Sequence, residues 1–255
     1  MLAKAGTLPA DEVIVDLEDG VALDAKEAAR ENLGAAAALG TLAIRINGVR
    51  TQWWRDDLAA VANLRPDVVA VPKVESPDDV AAVAARLPSG IAIEAQIETA
   101  RGLVEVERIA AADAPLEALV FGPGDFAASL GVPLLTIGAG SSEYALARIS
   151  VAAHAYGLQA VDGPYADLRD LDGLRGSASL ALAHGFDGKW VVHPDQIEPV
   201  NEVFTPTAEQ VKRAQRILAA DDGAVLVDGD MVDAATKRLA EAVLARTAGG
   251  VPPRA

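Results

Sequence analysis

The stretch IAIEAQIE (residues 91–98) decides how the rest of the chain is read. Successive residues of a strand point to opposite faces, so Ile91, Ile93, Ala95 and Ile97 share one face and Glu94, Gln96 and Glu98 the other. A parallel strand buried on both sides is ordinarily apolar throughout. Here the second face is wholly polar and carries two carboxylates, and burying an unpaired charge is costly. That face has to line a polar cavity or a metal site, with Glu98 at the C-terminal edge of its strand.

Outward from this strand one unit recurs: a short β-rich run, a turn, then an Ala-rich helical stretch. The expected strands are 12–19 (EVIVDLED), 42–47 (LAIRIN), 68–74 (VVAVPKV), 91–98, 118–125 (ALVFGPGD), 158–164 (LQAVDGP) and 188–194 (GKWVVHP). Strands alternating with helices imply parallel βαβ units, in a barrel or a doubly wound sheet. The length of 255 residues suits an α/β (β/α)8 TIM barrel, which takes about 250. The runs are seven, and a closed barrel has eight strands. After Pro206 the strand rhythm stops, and residues 207–219 and about 230–247 read as helices. The expected organisation is a barrel over 1–206 and a C-terminal helical extension over 207–255, packed outside the barrel or on a neighbouring subunit. The tail GGVPPRA (249–255) is expected to be frayed.

Composition narrows the function. Apolar residues make up 51% of the chain but aromatics only 4%, so Ala, Val and Leu fill the core. There is no cysteine, which excludes disulfides, zinc–thiolate sites and Cys nucleophiles. No window approaches the roughly 20 apolar residues of a membrane span, and the start lacks the layout of a signal peptide. A cytoplasmic location without membrane contact is the resulting expectation. The net charge of −15 argues against nucleic acid, because phosphate binding needs a basic face. The same field makes any polyanionic ligand depend on a local basic patch or on helix N-termini.

Charged groups gather at the expected C-terminal strand ends, where barrel active sites sit: Asp16 and Glu18, Arg45 with Asn47, Glu98, Asp125, Asp162 and His193. Glu98 and Asp125 lie one βα unit apart. Two carboxylates with room for water suit Mg²⁺, and with no His pair or thiolate at hand zinc fits less well. Arg45 adds a planar donor fork suited to a carboxylate or oxyanion. The stretch Gly122-Pro123-Gly124 can bring backbone N–H groups close to a small carboxylate. Together these stabilise negative charge developing on oxygen, the requirement of aldol or Claisen chemistry and its reversal. No G-x-S-x-G elbow, GxGxxG fingerprint or Walker A motif is present.

The motifs DEVIVDLEDGVALDAKEAAR (11–30), AIRING (43–48), VPKVES (71–76), IETARGL (97–103), FGPGDFAASLG (121–131) and HPDQIEPVNEVF (193–204) together resemble the citrate lyase β-subunit/malyl-CoA lyase (HpcH/HpaI aldolase-like) family. AVDGPYADLRDLDG (160–173) and GFDGKWVVHPDQI (185–197) are most similar to its malyl-CoA/β-methylmalyl-CoA lyase branch. The resemblance implies that Glu98 and Asp125 hold Mg²⁺, that Arg45 meets the thioester or enolate oxygen, and that Gly122, Pro123 and Gly124 hold the keto-acid carboxylate. It implies that Asp233, in DGDMVD (228–233), serves a neighbouring subunit's site, making a homotrimer or hexamer part of the apparatus. The implied reaction is Mg²⁺-dependent cleavage of a 3-hydroxy-acyl-CoA to a keto acid and an acyl-CoA. Family members begin with an RSxLFxPG strand, whereas this sequence opens at MLAKA, which resembles the helix after it; that strand would be the eighth.

The remaining polar residues have quieter readings. Asp16, Glu18 and Asp19 are expected behind the site, orienting Arg45 or metal-bound water. Lys73 is read as a salt-bridge partner of an inward carboxylate, His193 as a loop cap, and His154 and His184 as structural. Trp53 and Trp54 are read as packing or interface groups, and Lys4 and Lys26 as solvated surface cations. Three other functions stay in view: a citryl-CoA-cleaving β subunit with an acyl-carrier partner, a malyl-CoA thioesterase, and an inactive barrel that only binds.

Overall fold

The computed structural model describes residues 2–132, 140–221, 223–227 and 229–247; the tail expected to fray lies outside them. Among the described residues seven parallel strands form one sheet in the order of the sequence: β1 (Val13–Asp16), β2 (Leu42–Arg45), β3 (Val68–Val71), β4 (Ala92–Ile97), β5 (Leu116–Phe121), β6 (Gln159–Asp162) and β7 (Gly188–Lys189). Sequential order with parallel neighbours is the connectivity of a β/α barrel. No ladder joins β7 to β1 among these residues. A register shift between Ile93 and Glu94 marks the β4–β5 pair.

The strands form where β-branched residues cluster, as in VVAV of β3, whose four residues are all buried. Helices begin where the chain supplies caps. Ser76 and Asp79 form a capping box ahead of Pro77–Ala84, with Pro77 pre-setting the first turn. Thr99 accepts the Gly102 N–H and starts a helix directly behind Glu98. Gly102 is needed there, since a Cβ would lie 2.4 Å from the Val74 carbonyl oxygen. The core between sheet and helices is aliphatic, with Ile44, Ile46, Val69, Val71, Ile93, Ile97, Leu119, Ile149 and Phe186 fully or almost fully buried. Trp54 belongs to it, and the guanidinium groups of Arg55 and Arg86 lie over its ring.

The C-terminal region differs from the expectation of helices alone. Ala208–Leu218 and Ala234–Thr247 are helical, but Val225–Val227 (β8) and Asp230–Val232 (β9) pair as an antiparallel hairpin. Helix over the whole of 230–247 is therefore wrong for its first residues. The hairpin and the two helices enclose a small apolar cluster of their own, around Ala214, Ile217, Val232 and Ala240.

Candidate active site

The site gathers at the C-terminal ends of β1 to β5. Register makes Asp16 the neighbour of Arg45, and their side chains meet as a bidentate pair, Nε to Oδ1 at 2.7 Å and Nη2 to Oδ2 at 2.6 Å. Arg45 Nη1 lies 3.1 Å from Glu18 Oε2. Burial raises the Asp16 carboxyl, but its hydrogen bond to Arg45 and the guanidinium charge prevail and hold it below the usual carboxylate range. Burial works against the Arg45 cation too, and bonding to Asp16 with the charges of Asp16, Glu18 and Glu98 more than compensates, so Arg45 stays protonated.

The loop after β2 is held from below. Asp57, fully buried, accepts from the backbone N–H and the side-chain amide of Asn47 and pairs with Arg30. Asn47 also donates to the Leu17 carbonyl, tying the β1 and β2 ends together. Lys26 ties the helix Lys26–Glu31 to the β1 end: its ammonium donates to the carbonyls of Leu17 and Glu18, both at 2.7 Å. Its expected role as a solvated surface cation is therefore wrong, because the carbonyls satisfy it in a buried position; Lys4 is exposed.

Glu98 follows β4 and is 3% exposed. Its Oε1 accepts the backbone N–H of Lys73 at 2.7 Å. Burial, then the negative charges of Glu18 and Asp125, push its carboxyl up to about 7. Asp125 stands at the mouth with its side chain 41% exposed, its Oδ2 3.6 Å from the Lys73 ammonium. That ammonium also bonds Glu18 Oε1 at 2.5 Å and Asp19 Oδ2 at 3.0 Å, the ion pairing expected of Lys73. The structure thus joins Asp16, Glu18, Asp19, Arg45, Lys73, Glu98 and Asp125 in one connected charge network.

Residues Gly122–Asp125 are not a strand end. Helix Pro123–Ser129 begins there, with Asp125 in its first turn. Gly122 is required by Glu98, since a Cβ would lie 2.2 Å from Glu98 Oε2. The substrate-binding reading of the three residues narrows accordingly. The Gly122 N–H already donates to the Ile97 carbonyl and Pro123 has no N–H, which leaves that of Gly124 to meet a carboxylate. Gly163, after β6, packs where a Cβ would meet the Phe121 carbonyl and the Pro123 ring. Behind it lies a pair that sequence reading missed on one side: Asp162 bonds Lys189, whose side chain is 1% exposed and also reaches Ser177 and the Gly163 carbonyl. The inward position of Lys189 on β7 was its only signal.

Other residues fall outside this group. Glu94 is 7% exposed and its Oε2 has no hydrogen-bond partner; burial, then Glu12 and Glu117, raise it to about 8. His193 accepts from the Asp195 N–H as a turn cap, while His154 and His184 bond backbone carbonyls. Asp233 caps the helix Ala234–Thr247, accepting from the Thr236 N–H at 2.9 Å, and that bond holds its carboxyl low. The hydrogen bonds of the Asp233 carboxylate go to Thr236, in its own helix, and not to Glu98, Asp125 or Arg45.

A family model described as HpcH/HpaI aldolase/citrate lyase matches residues 1–194. The chain belongs to this family. A second model, carbon–carbon bond lyase of the TIM-barrel fold, matches residues 142–249 of this HpcH/HpaI member. An L-malyl-CoA/β-methylmalyl-CoA lyase of Cereibacter sphaeroides is 36% identical over 96% of this chain and 89% of its own length. A (3S)-malyl-CoA thioesterase of the same organism is 38% identical over 91% of this chain and 85% of its own. Among solved structures, the protein CitE of Mycobacterium tuberculosis in complex with magnesium, acetoacetate and coenzyme A superposes with a TM-score of 0.84 at 35% identity, over 96% of this chain and 92% of that one. The family and TIM-barrel class implied by the motifs are both shown.

Proposed function

We propose that this chain is a Mg²⁺-dependent carbon–carbon lyase that cleaves a malyl-CoA-type 3-hydroxy-acyl-CoA to a keto acid and an acyl-CoA. One observation carries the reading: a buried carboxylate, Glu98, which accepts the Lys73 backbone N–H, and a half-exposed one, Asp125, 3.6 Å from the Lys73 ammonium, belong to one charge network with the fixed guanidinium of Arg45. The donor set suits the ion. Both groups offer hard oxygens, and the glycine at 122 makes room for the Glu98 carboxylate. Two carboxylates leave coordination positions for substrate and water. The proposed ligands are therefore Glu98 and Asp125.

Bound Mg²⁺ supplies a Lewis acid for the oxygens of the α-keto or α-hydroxy acid. The chain does the rest. The Gly124 N–H orients the small carboxylate. Arg45, with only two of its five N–H donors given to Asp16, faces the thioester oxygen and stabilises the negative charge it gains as the C–C bond breaks. Asp16 prevents that guanidinium from turning. A neighbouring subunit's Asp233 handles the proton at the acyl-CoA α-carbon: its carboxylate, favoured by the Thr236 bond, takes that proton in condensation, and in cleavage its protonated form delivers it to the enolate carbon while the proton of the substrate hydroxyl leaves to solvent. With Asp233 acting on a neighbour, this reading makes the protein a homo-oligomer, which we propose is a trimer or hexamer, and we propose a cytoplasmic setting for it. It is supported by the lyase relative and by the magnesium and coenzyme A in the CitE complex. No helix of the described residues is long and apolar enough to cross a membrane.

The thioesterase relative favours a second reading, in which the thioester is hydrolysed. One assay separates them. Purified protein is given L-malyl-CoA, β-methylmalyl-CoA, citramalyl-CoA or citryl-CoA, with Mg²⁺ or EDTA. Keto acid in step with acyl-CoA supports the lyase; free CoA thiol with malate supports the thioesterase; cleavage undiminished by EDTA refutes both metal-dependent readings.

A further inference from the structure

Lys73 touches four of the site's carboxylates, Glu18, Asp19 and Asp125 through its ammonium and Glu98 through its backbone N–H, and its backbone is unusual. With φ 52° it is one of two non-glycine residues in the left-handed region among the described residues. A side chain there is strained, and glycine would meet the same geometry more easily. Strain of this kind persists where the surroundings over-determine it, and it concentrates at functional sites. The conformation has two visible consequences. It aims the Lys73 N–H at Glu98 Oε1. It also sends the side chain across the mouth, where the ammonium lies among Glu18, Asp19 and Asp125. The Lys73 carbonyl is held in turn by Arg50 Nη1 at 3.2 Å.

We infer that Lys73 is the resident counter-cation of the metal site, a positioning residue whose ammonium balances the carboxylates when no divalent ion is bound and so sets Mg²⁺ affinity. The inference rests on the assignment of Glu98 and Asp125 as the metal's ligands. The physical basis is charge balance. Glu18, Asp19, Glu98 and Asp125 converge on one small region against two cations, Arg45 and Lys73. Arg45 is bonded twice to Asp16 and lies 3.1 Å from Glu18, and among the described residues the cation paired with Asp125 is Lys73. Lys73 is the flexible one: a compact ammonium on a four-carbon stem, 35% exposed as a side chain, 3.6 Å from Asp125. A divalent ion entering between Glu98 and Asp125 meets this positive charge a few ångström away. Lys73 thus keeps the metal-free site from repelling itself apart and weakens metal binding in return.

The experiment is Mg²⁺ titration calorimetry on the full chain at fixed pH and ionic strength, paired with thermal unfolding with and without Mg²⁺. Lys73→Met keeps the stem and the backbone N–H and removes the charge. Lys73→Gly removes the charge and relieves the backbone, so that a folded variant is at hand if the first proves unstable. Both should bind Mg²⁺ more tightly, by roughly tenfold, the scale of repulsion between a unit and a divalent cation separated by a few ångström of water-like medium. In Lys73→Met the metal-free melting temperature should fall and the rise on adding Mg²⁺ should exceed that of the unaltered protein. Lys73→Arg, which keeps a cation, should bind as the unaltered protein does. Unchanged or weaker Mg²⁺ binding in both charge-free variants overturns the inference. Glu98→Gln separates this failure from a deeper one: if it binds Mg²⁺ as well as the unaltered protein, the ligand assignment itself falls.

Discussion

Adding one methyl group at Gly122 tests the geometry on which the site depends. The Cβ of Gly122→Ala would stand 2.2 Å from Glu98 Oε2 and 2.4 Å from Glu98 Cβ, where carbon atoms rest at about 3.5–4.0 Å. The backbone is no obstacle, since φ −103° and ψ 87° have no left-handed character. More than an ångström of overlap must be absorbed by moving Glu98, the Gly122 loop or both. Overpacking of this kind costs about 1–3 kcal/mol, and at about 2–4 °C per kcal/mol for a chain of this size the melting temperature should fall by about 2–12 °C. Because Mg²⁺ demands near-ideal geometry with ligands at about 2.0–2.1 Å, the displaced carboxylate should also weaken Mg²⁺ binding by at least about tenfold. Gly124→Ala is the matched control. A Cβ there meets nothing within 4 Å, and it lies in a helix, where Ala is preferred by about 0.5–1 kcal/mol. Differential scanning calorimetry and Mg²⁺ titration of both variants read the outcome. An unchanged melting temperature and Mg²⁺ affinity in Gly122→Ala would refute the placement of Glu98 over Gly122.

Other expectations follow from the same structure. Glu94 is raised to about 8 by burial and then by Glu12 and Glu117; a carboxyl raised in the folded state contributes stability below its unfolded value of about 4.3 and loses it as pH rises through 8. Glu94→Gln should therefore gain on the unaltered protein by about 2–4 kcal/mol between pH 5 and pH 9 in urea unfolding, and a difference that ignores pH would contradict this. Lys189→Met strands the buried Asp162 carboxylate and should cost about 3–5 kcal/mol at pH 7, with Asp162→Asn in the same chain recovering part of it; a loss below about 1 kcal/mol would show that the pair is not desolvated. Asp233→Asn and Glu98→Gln should each be inactive alone, yet regain part of the activity when their subunits are exchanged in one oligomer. Absence of recovery after verified exchange would place Asp233 outside the neighbour's site.

Much of this was legible in the chain. The alternation in 91–98 correctly put Glu94, Gln96 and Glu98 on a buried polar face, because strand geometry forces it. It did not show that the face divides, with Glu98 in the network at the strand ends and Glu94 raised by Glu12 and Glu117 instead. The pairing of Asp16 with Arg45 depends on register between strands 29 residues apart, which a linear sequence does not display. Lys26 was read as solvated because lysine usually is, and only the fold brings the Leu17 and Glu18 carbonyls to it. The helix start at Pro123 was hidden by the β-like run before it, although Pro at a first helical position is a signal. The hairpin at β8 and β9 was readable: Asp-Gly between VLV and DMV is a strong short-range hairpin signal, and the helical pattern around it prevailed wrongly.

The central claim is that Glu98 and Asp125 share one divalent ion. Crystals grown with Mn²⁺ in place of Mg²⁺ test it through anomalous scattering. The account predicts one strong peak bonded to a carboxylate oxygen of each residue, at about 2.0–2.3 Å, and its loss in Glu98→Gln. A peak bonded to one of them alone, or to neither, would contradict it.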